Sequence, residues 1–164
     1  MKQLPEKIAL DKAVNGQRTY QGSVKLHEMS RLADMLASTD GDVDFSINFD
    51  RAAKILGKAQ VKVKAELPLI CTISEKQFKF PVEIDSTVGF IDDLEYEEFL
   101  GSDMEASWVE NGFIKPLEIL EDELILAVPD APFDENHESD ESNDKEQVAT
   151  DEKPNPFDIL KSLK

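Results

Sequence analysis

Three runs of this chain alternate apolar and polar side chains. In Asp42 to Asp50 (DVDFSINFD), Val43, Phe45, Ile47 and Phe49 take one side, and Asp42, Asp44, Ser46, Asn48 and Asp50 the other. Lys58 to Ile73 alternates through Val61, Val63, Ala65 and Leu67, and Phe78 to Phe90 through Phe78, Phe80, Val82, Ile84 and Val88. A period of two puts every second side chain on one face of an extended strand. One apolar face and one wet face is the pattern of antiparallel sheets. Long strands in succession on short connections predict a meander. Strands of this length bend or coil, so the expected sheet is curved or a partial barrel.

Helical periodicity flanks these runs. Leu26, Met29, Leu32, Ala33 and Leu36 recur at spacings of three and four, which predicts an amphipathic helix closed by the Ser-Thr-Asp-Gly run at 38–41. Pro116 opens a second helix, with Leu117, Leu120, Leu124 and Val128 on one face; Pro129 and Pro132 stop it. Arg18 to Lys25 reads as a strand behind the Asn15-Gly16 turn signal. Residues 4–14 read as an edge strand or irregular lead-in, and 92–112 as an ordered loop with a short helix or strand. The fold class expected is α+β with two main helices.

Charge divides the rest. The chain carries 18 Lys+Arg and 35 Asp+Glu, a net of −17. Residues 134–152 hold nine acids, one Lys and no periodicity, which predicts a disordered acidic linker. The final segment, KPNPFDILKSLK, is different: Phe157, Leu160 and Leu163 lie three apart. Pro154 keeps the preceding residue extended, Asn155 suits a helix cap and Pro156 the first helical position. Three parts are therefore expected: a globular domain at 1–133, the linker at 134–152, and a short helical docking motif at 153–164.

Catalytic chemistry finds little support. Cys71 lies in the apolar run LPLICTI with no local His, and the two histidines, His27 and His137, are far apart. A small buried thiol is the expected reading. Glu121, Asp122 and Glu123 are adjacent, so on a helix they do not share a face, and a surface or structural role is expected rather than a metal site. No convergent carboxylates or His-based acid–base pair point to an enzyme. No cofactor and no metal are expected. A lone cysteine excludes an intramolecular disulfide. The N-terminal residues lack an apolar signal-peptide core, and no stretch nears the roughly 18 apolar residues of a membrane span. A cytoplasmic location is expected, without membrane or DNA partners.

One segment runs against the acidic trend. Arg51, Lys54, Lys58, Lys62 and Lys64 fall within fourteen residues free of acid. They are candidates for meeting RNA phosphates. The same residues also read as ordinary solvated side chains on a sheet's wet face, because no aromatic residue interleaves to stack bases.

The helix and its exit LEDELILAVPDAP (120–132), the terminal KPNPFDILKSLK after an acidic linker, and the strand pair around Leu69 to Val82 with its Cys and Phe-x-Phe-Pro occur together. In these features the chain resembles the bacterial large ribosomal RNA subunit accumulation proteins, the YceD-like family. The resemblance implies a non-enzymatic cytosolic role in synthesis, processing or stability of large-subunit (23S) ribosomal RNA. The basic strip favours that RNA or its precursor as partner, and the net charge of −17 favours a basic ribosomal protein, for which the chain would act as acidic adaptor or chaperone without touching RNA. Many members carry Cys-x-x-Cys on the middle strand pair. Here Ser74 stands three after Cys71, so a two-cysteine zinc or redox role does not carry over.

The terminal motif yields a direct test. A helix this short does not persist alone in water, so its apolar face has to dock, and a separate partner explains the long acidic tether. Deleting 153–164 is expected to leave the thermal midpoint nearly unchanged while abolishing function in a complementation assay. A large drop in midpoint would instead place the motif on its own domain.

Overall fold

The computed structural model describes residues 4–136. The acidic linker beyond its first three residues, and the docking motif with Pro154, Asn155, Pro156, Phe157, Leu160 and Leu163, lie outside the described residues. In chain order the elements are β1 (Ile8–Ala9), α1 (Leu10–Asn15), β2 (Thr19–Lys25), a 3-10 turn (Leu26–Glu28), α2 (Ser30–Ala33), β3 (Asp42–Asp50), β4 (Gly57–Ile70) and β5 (Gln77–Ile91). A 3-10 segment (Leu94–Phe99), β6 (Met104–Trp108), β7 (Phe113–Ile114) and α3 (Pro116–Ala127) complete it.

The alternating runs become β3, β4 and β5, hydrogen-bonded antiparallel in the order β2-β3-β4-β5-β6. The register stacks the apolar sets: Phe45 faces Val63, which faces Ile84, and Val43 faces Ala65, which faces Val82. The inward side chains of β3 and β4 are buried, Val43, Ile47, Ala59, Val61 and Leu67 completely. Each large apolar side chain so buried is worth roughly 1.5–3 kcal/mol. The α-helices pack on this face: α1 on β3 and β4, and α3 on β4 and β5.

One expectation about the sheet needs correction. It is mixed, because β6 runs parallel to β5, from Thr87 against Met104 to Ile91 against Trp108. A parallel neighbour needs a crossover of about a dozen residues, and the acidic stretch 92–103 is that crossover. The sheet is open: β2 and β6 are its two edges and do not pair with each other.

The helices also depart from expectation. Leu26, Met29 and Leu32 are fully buried, as their spacing demands, but they sit on a 3-10 turn and a single turn of α2, not on one long helix. A spacing of three serves a 3-10 turn as well as an α-helix. Tertiary hydrogen bonds replace the missing helical ones: Leu26 N donates to Gly41 O and Ala37 N to Pro68 O. At the N-terminus a helix, α1, stands where an edge strand or irregular segment was expected. Leu10, Ala13 and Val14 are its buried face, while Ile8 before it pairs with Ile114. Gly57 opens β4 at φ +155°, with Val14 packed where a Cβ would project. A side chain there would be strained by backbone and neighbour alike.

The long helix α3 matches its prediction, with Pro116 in the first turn and Leu120 and Leu124 fully buried. A surface or structural role is expected for its carboxylates, and two of the three are buried: Glu121 and Glu123 are each only 5% exposed. Glu121 accepts hydrogen bonds from Arg31 N (2.6 Å), Leu32 N (3.1 Å) and Arg31 Nε (2.9 Å). The first two are backbone amides of the opening turn of α2, which has no side-chain cap of its own. A carboxylate from a distant helix thus satisfies donors that a local cap normally takes. Asp122, on the wet side, grips the same guanidinium at 2.7 Å.

Glu121→Ala is expected to lower unfolding free energy by about 2–4 kcal/mol in urea denaturation, since it strands two amides and part of an arginine. Glu121→Gln keeps an acceptor and should cost less. Asp122→Ala removes an exposed pair and should cost under about 1 kcal/mol. Equal losses at Glu121 and Asp122 would show that the capping contact is not what matters.

Candidate functional site

The five basic residues fall into two groups. Lys58, Lys62 and Lys64 share the open face of β4, since the inward positions between them are taken by Ala59, Val61 and Val63. Arg51 and Lys54 lie in the β3–β4 connection. Arg51 donates from its guanidinium to Asn15 O at 3.4 Å, and Lys54, at φ +67°, holds its ammonium 4.7 Å from the centre of the Phe99 ring. The crossover covers this end of the face, where Leu100 and Ile55 crowd over Gly89.

The register then decides how basic the strip is. Lys64 stands opposite Asp44 on β3 and Glu83 on β5; Lys62 faces Ser46 and Asp85; Lys58 faces Asp50. Lys62 Nζ is 3.2 Å from Asp85, and Gln60 donates to the same carboxylate at 2.9 Å. Gln60 first and Lys62 second hold Asp85 below its ordinary pKa. Asp50 is held low in the same way, chiefly by Gln17. The acid-free stretch of sequence is therefore an alternation of charge in space, with rows of carboxylates on both flanks.

Cys71 is buried as expected, but it begins the β4–β5 hairpin loop instead of lying within the strand. Its backbone closes the loop: Cys71 N donates to Lys76 O, and Glu75 N to Cys71 O, both at 2.9 Å. Hydrogen-bond donors around the sulfur outweigh the cost of burial. The Ser74 hydroxyl, then the amides of Ser74, Asp134 and Ile73, pull the thiol down to about 7. Ser74 thus occupies the second cysteine's place in the motif and still contacts the first.

A third feature was not anticipated. A cavity of about 370 Å³ lies between β6, β7 and the first turns of α3, lined by Glu105, Trp108, Phe113 and Glu123 among others. Burial raises the Glu123 pKa, with Glu105 and Asp122 adding to the effect. The neighbouring Ser86 hydroxyl opposes that rise, yet makes no hydrogen bond of ordinary geometry. A buried carboxylate on a helix that reads as amphipathic has no sequence signal beyond its place between buried leucines. No group of three or more metal-ligating side chains occurs among the described residues, and no helix among them is long and apolar enough to cross a membrane.

Together these residues define an α+β protein with one helix-covered sheet face, one charge-alternating face and an acidic cleft at the sheet's β6 edge. Over nearly its whole length the chain is similar to the Large ribosomal RNA subunit accumulation protein YceD of Haemophilus influenzae, 27% identical over 166 residues, covering 96% of this chain and 95% of that protein. No protein-family model matches the chain, and no solved structure does.

The thiol offers a direct check on the loop. Ser74→Ala removes the first cause of its low pKa, so the midpoint of thiolate absorbance should rise from about 7 toward the ordinary value near 8.5. An unchanged midpoint would mean that the backbone amides alone hold the thiol.

Proposed function

We propose that this chain is a non-enzymatic ribosome-biogenesis factor acting in the synthesis, processing or stability of large-subunit ribosomal RNA. The observation that carries this reading is the end-to-end similarity to a protein named for accumulation of that RNA. The same reading places the chain in the cytoplasm.

For the direct partner, the geometry favours a basic ribosomal protein over bare RNA. Phosphate binding draws its strength from lysines that release counterions. Here Lys62 and Lys64 already face carboxylates across β4 and β5, and Lys62 is in an ion pair. An RNA backbone laid on Arg51, Lys54, Lys58, Lys62 and Lys64 would also meet Asp44, Asp50, Glu83 and Asp85. A net charge of −17 repels RNA at long range and attracts a cationic protein.

The test has two parts. Cells lacking the protein should under-accumulate large-subunit ribosomal RNA relative to small-subunit RNA, and the wild-type chain should restore it; an unchanged ratio would sink the biogenesis reading. Charge reversal of Lys54, Lys58, Lys62 and Lys64 is then expected to keep the fold, since exposed substitutions are mild, and to restore accumulation as well as wild type. Failure of that folded variant, with steeply salt-dependent RNA binding by the wild type, would move the contact to RNA.

A further inference from the structure

The helix α3 presents three successive carboxylates, and two already hold an arginine. Glu121 and Asp122 grip the guanidinium of Arg31, at 2.9 and 2.7 Å. Glu123 projects on the other flank into the cleft beside β6. It is 5% exposed, and no ion pair or hydrogen bond of ordinary geometry reaches it from the described residues. Among the described residues only the Ser86 hydroxyl is fully sealed without a partner, so the Glu123 carboxylate keeps access to the cleft, where a cation can reach it.

The rest of the lining points to what would complete it. Glu105, exposed on β6, also lacks an ion-pair partner among the described residues. Five carboxylates line the cleft against two ammonium groups. Lys115 is engaged by Glu118 at 2.7 Å, and Lys7 reaches no carboxylate within ion-pair distance. Trp108 and Phe113, at 51% and 48% exposure, stand among the lining residues with their rings partly in solvent. Paired carboxylates suit a planar cation: a guanidinium bonds carboxylates through a rigid fork, which an ammonium does less well. β6 is also the edge of the sheet, so an extended segment can approach along it.

We propose that this cleft receives an arginine side chain of a basic protein partner, its guanidinium between Glu105 and Glu123. The site deepens the reading of a basic ribosomal protein as partner, and rests on it for its biological occupant. It is distinct from the lysine face, on the opposite side of the chemistry.

Trp108 is the only tryptophan, so the full-length chain carries its own reporter. Its fluorescence is titrated with an end-blocked tetra-arginine peptide, and with the same peptide carrying citrulline, the neutral isostere of arginine. Saturable binding of the arginine peptide is expected, with citrulline at least tenfold weaker. The double variant Glu105→Gln/Glu123→Gln should weaken arginine binding by tenfold or more. Glu123→Gln removes a buried charge without changing shape, so the melting midpoint should hold or rise. The control Glu97→Gln/Glu98→Gln removes the same charge elsewhere and should change affinity less than twofold. No saturable response, equal binding of citrulline, or equal weakening by the control would overturn the site. Ribosomal RNA accumulation in cells is a separate measurement, so loss of the cleft and loss of the biogenesis reading are told apart.

Discussion

The pairing of β4 with β5 is the constraint on which the rest of the molecule hangs. It runs unbroken from Gly57 against Phe90 to Ile70 against Gln77. A slip by one residue would turn Val61, Val63 and Leu67 outward and bury Lys62 and Lys64, so burial fixes the register strongly. Everything functional is then placed relative to it. The lysines gain carboxylate neighbours from both sides, the hairpin loop brings Ser74 to Cys71, and the far end of β5 offers the parallel edge on which β6 builds the cleft.

The sheet was legible because its signal is local. Val43 to Phe49 and Val61 to Leu67 alternate without exception, and the structure gives them one face. What the sequence did not disclose depends on partners far along the chain. The segment 26–38 reads as one helix, yet its hydrogen bonds go to Gly41, Pro68 and Glu121, and periodicity cannot see them. β6 is short and polar, and its parallel pairing follows from the crossover rather than from any pattern in MEASW. Leu10, Ala13 and Val14 do carry a helical spacing, but six residues are too few to separate it from chance. Adjacency in sequence tells that Glu121, Asp122 and Glu123 do not share a face, but not which of them is buried.

The same lesson applies to charge. A stretch of fourteen residues without acid looks like a phosphate-binding strip until its neighbours across the strands are known. Conversely, three adjacent acids look like a solvated patch until two of them are found buried. Net charge along a sequence is therefore a poor guide to local potential in a sheet protein, where each residue's nearest charges come from other strands. The described fold has a face whose charges largely answer one another and a cleft whose charges do not. An unanswered charge is the better pointer to a partner.

The Glu121 contact also carries a consequence for how the chain is made. Arg31 N and Glu121 are separated by 90 positions, and Ile8 waits for Ile114 to form its only strand pairing. Contacts this distant close late in folding. During vectorial synthesis α2 emerges with its first amides uncapped, and β1 emerges without a neighbour. Both are completed only after α3 has left the exit tunnel, so the N-terminal layer docks last although it is translated first. A nascent chain arrested before Pro116 would hold the hairpins of β3, β4 and β5 while leaving Leu26, Met29 and Leu32 without the cover of Leu120 and Leu124. For a chain of this topology, the emergence of α3 is also the step that commits the fold.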